Sequence, residues 1–63
     1  MALSFYSPTE ISHTIRDRVK AKRLERGWTQ EEMSQRTGIA LSTLKVFEAE
    51  GKISFLRLLR IAA

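Results

Sequence analysis

The chain has 63 residues and a mass of 7.2 kDa, enough for one domain whose core buries too little surface to be comfortably stable alone. It has no cysteine, which excludes a disulfide framework and a Cys-based zinc site, and its single histidine, His13, cannot build a metal site by itself. With 11 Lys+Arg against 7 Asp+Glu the net charge is +4 and the pI ≈ 10.1, a balance that attracts polyanions without by itself implying nucleic acid.

Residues 1–7 read as an N-terminal arm and 8–63 as one helical domain. Leu3, Phe5 and Tyr6 make the arm more apolar than a free tail needs to be, so it is expected to dock, on the helical core or on a second subunit. MALSFYSPTE lacks the basic start and apolar core of a signal peptide, and no apolar run approaches the ~18 residues of a membrane span. A cytoplasmic protein without a membrane partner is the expectation.

Ser7-Pro8-Thr9-Glu10 is a helix start, with serine as cap, proline at the first helical position and glutamate three after the cap. Helix one is expected over 8–26. Ile11, Ile15 and Val19 recur every four residues and form one apolar stripe, while Arg16, Arg18, Lys20, Lys22, Arg23 and Arg26 crowd the rest. Cations near the helix C-terminus suit the macrodipole as well as they suit a phosphate, so the run has two readings. His13 reads as a surface residue on the polar side, and Leu24 lies off the stripe.

Gly27 stops this helix, and Trp28-Thr29 open the next, over 30–37. Thr29 can accept from first-turn amides, Glu32 can close a capping box, and Trp28 can staple onto Met33. Met33 and Thr37 face the core, and Ser34 is small enough for close approach of a neighbour. Gly38 can take the left-handed conformation that turns the chain sharply into helix three, over 41–49. Leu44 and Phe47 point inward there, leaving Leu41, Ser42, Lys45 and Val46 outward and Thr43 on the flank. Two short helices joined by a glycine-containing turn, here across 29–48, are the pattern of a helix-turn-helix, whose second helix enters the major groove of DNA.

After the loop AEGKI, Ser54 caps helix four, in which Phe55, Leu58, Leu59 and Ala62 repeat at helical spacing and Ile53 can staple onto Leu58. The pattern breaks off at Ala63 without a cap, which reads as a truncated C-terminal helix, and Leu56 on its other side would suit a further element. The expected fold is all-α, a compact domain of four helices.

The run RVKAKRLERGWTQEEMSQRTGIALSTLKVFEAEG, from Arg18 to Gly51, resembles the lambda-repressor-like helix-turn-helix family, the Cro and phage-repressor (XRE) type. The resemblance implies a salt bridge from Arg23 to Glu48, tying helix one to the recognition helix. It implies phosphate contacts by Gln30 and the capped amides at Thr29, with Arg23 and Lys22, and base contacts by Leu41, Ser42, Thr43, Lys45 and Val46. The chain departs from the family at Ala40, where a serine or threonine usually caps the recognition helix. Its reading face is also poor in hydrogen-bonding groups, because Leu41 and Val46 can touch only thymine methyls. FYSPTEIS, GWTQEE and TGIALSTLKVFEAEG further resemble the HipB-type antitoxins, which repress their own operon as dimers and bind a HipA-like kinase toxin.

The expected function is therefore a sequence-specific, nucleoid-associated DNA-binding repressor, acting as a homodimer on an inverted-repeat operator with half-sites ~34 Å apart. The alternative is a HipB-type antitoxin holding a kinase-like toxin and autoregulating its operon. No enzyme, cofactor or metal is expected. His13 has no plausible nucleophile beside it, and the serines and threonines have capping or surface explanations.

Overall fold

The computed structural model describes residues 7–62. Among them are four helices and no strand: α1 (Pro8–Glu25), α2 (Gln30–Thr37), α3 (Leu41–Glu50) and α4 (Phe55–Ala62). The domain is all-α, and the helix limits fall within one residue of those read from the sequence. The expectation that Leu3, Phe5 and Tyr6 dock lies outside the described residues.

Local chemistry sets the helix ends. Ser7 accepts from the Glu10 amide at 3.1 Å, with Pro8 in the first turn of α1. The Thr29 hydroxyl accepts from the Glu32 amide at 3.0 Å. Gly38 closes α2 with φ +73, a left-handed conformation that a side chain disfavours, and its amide donates to the Ser34 carbonyl at 2.9 Å.

The core sits between α2 and α3. Met33, Ile39, Leu44 and Phe47 are all 5 % exposed or less, and Val19 and Ile61 pack against the Met33–Ile39–Leu44 cluster. Ile39 had no signature in the sequence because it lies in the turn, where no period marks an inward position. Three hydrogen bonds fix that turn. Ser34 donates to the Ile39 carbonyl at 2.6 Å, and Thr37 donates to Met33 at 2.8 Å and accepts from the Ile39 amide at 3.3 Å. Short polar side chains thus satisfy the amide and carbonyl of Ile39, which no helix pairs, letting an isoleucine be buried within the turn.

α1 lies across α3 but buries no residue fully. Ile15 and Val19 are half-buried, whereas Ile11, at the start of the expected stripe, is exposed. Polar ties complete the contact: Ser12 donates to the Gly51 carbonyl at 2.6 Å, and Arg16 donates to the Ala49 carbonyl at 3.3 Å, where a cation suits the helix C-terminus. His13, expected on the exposed polar side, is instead half-buried where α1 passes Gly51. Leu24 is exposed.

α4 corrects the expected stripe. Ser54 caps it through the Arg57 amide at 3.3 Å, but Leu58 and Ile61 are the half-buried pair. Phe55 and Leu56 are 71 % and 74 % exposed, and Leu59 is exposed with them. Apolar residues occupy more than half of this helix's circumference, so periodicity cannot say which part packs; three-residue spacing selects Leu58 and Ile61.

Candidate nucleic-acid interface

One buried polar cluster joins α1, α2 and α3. Arg23 donates from Nε to Glu48 Oε2 at 2.8 Å and from Nη2 to Oε1 at 2.9 Å, and its Nη1 donates to the Trp28 carbonyl at 2.7 Å. Gln30 adds a third donor to Glu48, from Nε2 at 3.2 Å. The Arg23 and Glu48 side chains are only 10 % and 4 % exposed. The planar fork matches the carboxylate, as a bidentate pair must if burying two charges is to be tolerated. Among the described residues no buried side-chain nitrogen or oxygen lacks a partner. The end of α1, the start of α2 and the third turn of α3 are therefore held in one geometry.

The cluster bears on two residues expected at phosphates. A guanidinium has five N–H groups, and those of Arg23 already serve Glu48 and Trp28 from a mostly buried side chain, so its first role is to hold α3 in place. Gln30 is half-buried, and its bond to Glu48 orients the amide so that the second N–H faces away from the carboxylate. Lys22 is exposed on α1, loosely paired with Glu25 at 3.6 Å. Thr29 is exposed with its hydroxyl engaged as a cap. Glu31 and Glu32 in the first turn of α2 suit the helix dipole but repel a phosphate, so the backbone there works against two carboxylates.

Because Leu44, Phe47 and Glu48 face inward, α3 presents Ser42, Lys45 and Val46 to solvent, with Val46 43 % exposed. Leu41 and Thr43 are half-buried at the margins of that face. Lys45 is its only cation. Glu50, at the far end of α3, pairs loosely with Lys52 at 3.5 Å. Ala40 makes no side-chain hydrogen bond to the first turn of α3, so those amides have no cap.

Trp28 has a setting that the sequence did not reveal. The guanidinium carbons of Arg26 and Arg36 lie 5.1 and 4.4 Å from its ring centroid, a cation–π arrangement that draws the ends of α1 and α2 together. The only hint was the proximity of Arg26 to Trp28 in the chain; Arg36 comes near because α2 folds back.

A family model described as helix-turn-helix matches residues 19–63. No curated protein and no solved structure matches the chain.

Proposed function

The chain belongs to the helix-turn-helix family of DNA-binding transcription regulators, and from that premise we propose that it is a repressor that reads the major groove with α3 as a homodimer. The observation that carries the reading is the row Ser42, Lys45 and Val46, exposed on a helix whose opposite side is anchored by the buried Glu48. A rigid helix with a free face is what base readout requires.

In this reading Lys45 donates to guanine O6 or N7, Ser42 and Thr43 to any polar edge within reach, and Val46 and Leu41 touch thymine methyls. The amides at Thr29, the free N–H of Gln30 and the ammonium of Lys22 take phosphates. Arg23 contributes its charge and the N–H groups left over from Glu48 and Trp28. Two-fold symmetry then places two copies of α3 about one helical turn apart on an inverted repeat in the cytoplasm, at the nucleoid. A HipB-type antitoxin with a kinase-like toxin partner shares this DNA step and rests on the short runs YSPT and GWTQ.

The test is selection from random duplex DNA at near-physiological salt, where nonspecific phosphate binding is weak. The expected result is an inverted repeat, and Lys45→Ala should weaken binding to it about tenfold while changing random-duplex binding little. Equal loss on both would make Lys45 a phosphate contact. Folded protein that enriches no sequence would overturn the reading.

A further inference from the structure

Where the chain enters α1 it borders an open groove. Pro8, Ile11, Ile15, Phe47, Ile53 and Leu58 line a cavity of about 380 Å³ between the start of α1, the loop after α3, and α4. No charged side chain lines it. Its apolar wall is only partly covered, since Ile11 is 41 % exposed and Ile15, Ile53 and Leu58 are half-buried. Ser12 and Gly51, whose hydrogen bond ties α1 to the end of α3, belong to the same wall.

The two ends of the described residues meet different grooves. Pro8 lines this one, whereas Ala62 lines a larger one of about 500 Å³, beside Arg18 and Arg26. A segment leaving α4 would therefore meet the larger, cationic groove first, and the segment entering α1 meets the uncharged one. That segment is MALSFY, which has no Lys, Arg, Asp or Glu and carries Leu3, Phe5 and Tyr6. Arm and groove match in charge and in polarity. They match in length too: six residues reach about 20 Å when extended, twice the ~10 Å from Pro8 to Ile15 along α1. Ser7 caps α1 with an extended backbone, φ −72 and ψ 156, so Tyr6 precedes the cap and Ile11 is the fourth helical residue. Those are the two positions that a hydrophobic staple joins, and a staple fixes the angle at which the chain enters.

A separate chain is a poorer occupant. Stable association takes about 800 Å² of surface on each partner, about a sixth of this domain's 4811 Å², which a groove this short does not offer. A tethered arm needs far less, because its effective concentration is on the order of millimolar.

We propose that residues 3–6 fold back as a strap into this groove of their own chain. Tyr6 staples onto Ile11, and Leu3 and Phe5, alternate residues that an extended segment puts on one face, cover Ile15 and Ile53. Phe55, 71 % exposed, edges the groove and stays in water. The strap ties α1 to the loop after α3 and shields the hydrogen bond between Ser12 and Gly51. None of Ser42, Lys45 and Val46 lines the groove, so the strap is independent of the DNA reading.

The test is nuclear Overhauser contacts in the full chain, measured on uniformly labelled protein and on a mixture of labelled and unlabelled protein that shows only contacts between chains. The Phe5 ring and Leu3 methyls should touch the Ile15 and Ile53 methyls, and the Tyr6 ring Ile11, all within one chain. Leu3→Ser with Phe5→Ser should lower the melting temperature by about 4–8 °C, at any protein concentration. Leu24→Ser, at an exposed leucine outside the groove, should leave it unchanged. In an Ile53→Ser background the arm substitutions should lose most of their effect. No contact between the arm and the groove, or a melting temperature that ignores the arm, would overturn the proposal. So would contacts seen only in the mixed sample, which give the arm to a second copy, and contacts that seat Leu3 and Phe5 on Val19 and Ile61 in the larger groove.

Discussion

From Met33 to Phe47 four side chains are 5 % exposed or less and the Ser34 and Thr37 side chains tie the turn between them, whereas α1 and α4 contribute no fully buried residue. The same short chain thus holds one helix pair tightly and leaves another pair ajar. On the proposed function the difference follows the use made of each region. The orientation of α3 must be fixed before it can discriminate among bases, because a reading helix that wanders loses the geometry of each hydrogen bond. The α1–α4 side has no such duty within the domain. Its apolar surface is what a further element would bury.

The sharpest way to break that contrast is to remove one phenylalanine from each side. Phe47 is 1 % exposed, so Phe47→Ala should cost about 3–5 kcal/mol, comparable to the whole stability of a core this small, and leave the chain unfolded at 25 °C. Phe55→Ala on α4, 71 % exposed, should stay within about 0.5 kcal/mol. Thermal melts followed by circular dichroism decide it; a large loss from Phe55→Ala would mean that α4 is packed in solution and the contrast is false.

Next comes the tie that fixes α3. Glu48→Ala leaves Arg23 buried without its anion and Gln30 without its acceptor, a loss of about 3 kcal/mol. The exposed pair on α1 is the comparison. Asp17 sits beside Arg16, whose hydrogen bond holds the carboxyl below its usual value of 3.8. A lowered folded value means that any stabilisation is present above 3.8 and disappears as the pH falls through the lower value. The pair is open to water, so Asp17→Asn should leave the melting temperature unchanged at neutral pH. If the two substitutions behave alike, the Arg23–Glu48 cluster is a surface pair and does not organise α3.

Much of the rigid side was legible in the sequence, and less of the open side was. Ser7, Thr29 and Ser54 announced their helices because a cap is a local event, needing only the amide three residues on. Leu44 and Phe47 were readable from their three-residue spacing, although Leu41 and Val46 make α3 apolar on its other side as well. Arg23 and Glu48, 25 residues apart, carried no local signal, and their pairing was suggested by family resemblance alone. Ile39 escaped because a turn has no period. α4 misled because Phe55, Leu56, Leu58, Leu59 and Ile61 span more than half its circumference, and only the fold decides that Leu58 and Ile61 face inward. The exposure of Ser42, Lys45 and Val46 on α3 was legible in the sequence, but the half-burial of Leu41 and Thr43 depends on their neighbours in space.

A smaller effect is expected where the tight region hands over to the loose one. Gly51 has φ +77, and a Cβ there would lie 2.5 Å from the Ser12 hydroxyl oxygen and 3.2 Å from the Ser12 carbonyl oxygen. Gly51→Ala therefore strains the backbone and pushes α1 off the end of α3, for about 2–3 kcal/mol. Gly27→Ala meets open space at φ +71 and should cost only the conformational term, about 1 kcal/mol. Equal losses would show that α1 yields freely at Ser12 and that the open side begins one helix earlier.

The smallest change adds an interaction. Ala40 precedes α3 with an extended backbone, φ −57 and ψ 140, and no side-chain oxygen reaches the first-turn amides. Ala40→Ser should supply that oxygen and stabilise by about 1 kcal/mol, raising the melting temperature of a domain this size by about 4–8 °C. The DNA measurement then separates two uses of the same amides. If they are merely solvated, a better-fixed α3 binds its selected site as well as before or slightly better. If they donate to a phosphate in the complex, the serine competes for them, and affinity falls although stability has risen. A rise in melting temperature coupled to weaker binding would show that the missing cap belongs to the interface, since loss of order could not produce both.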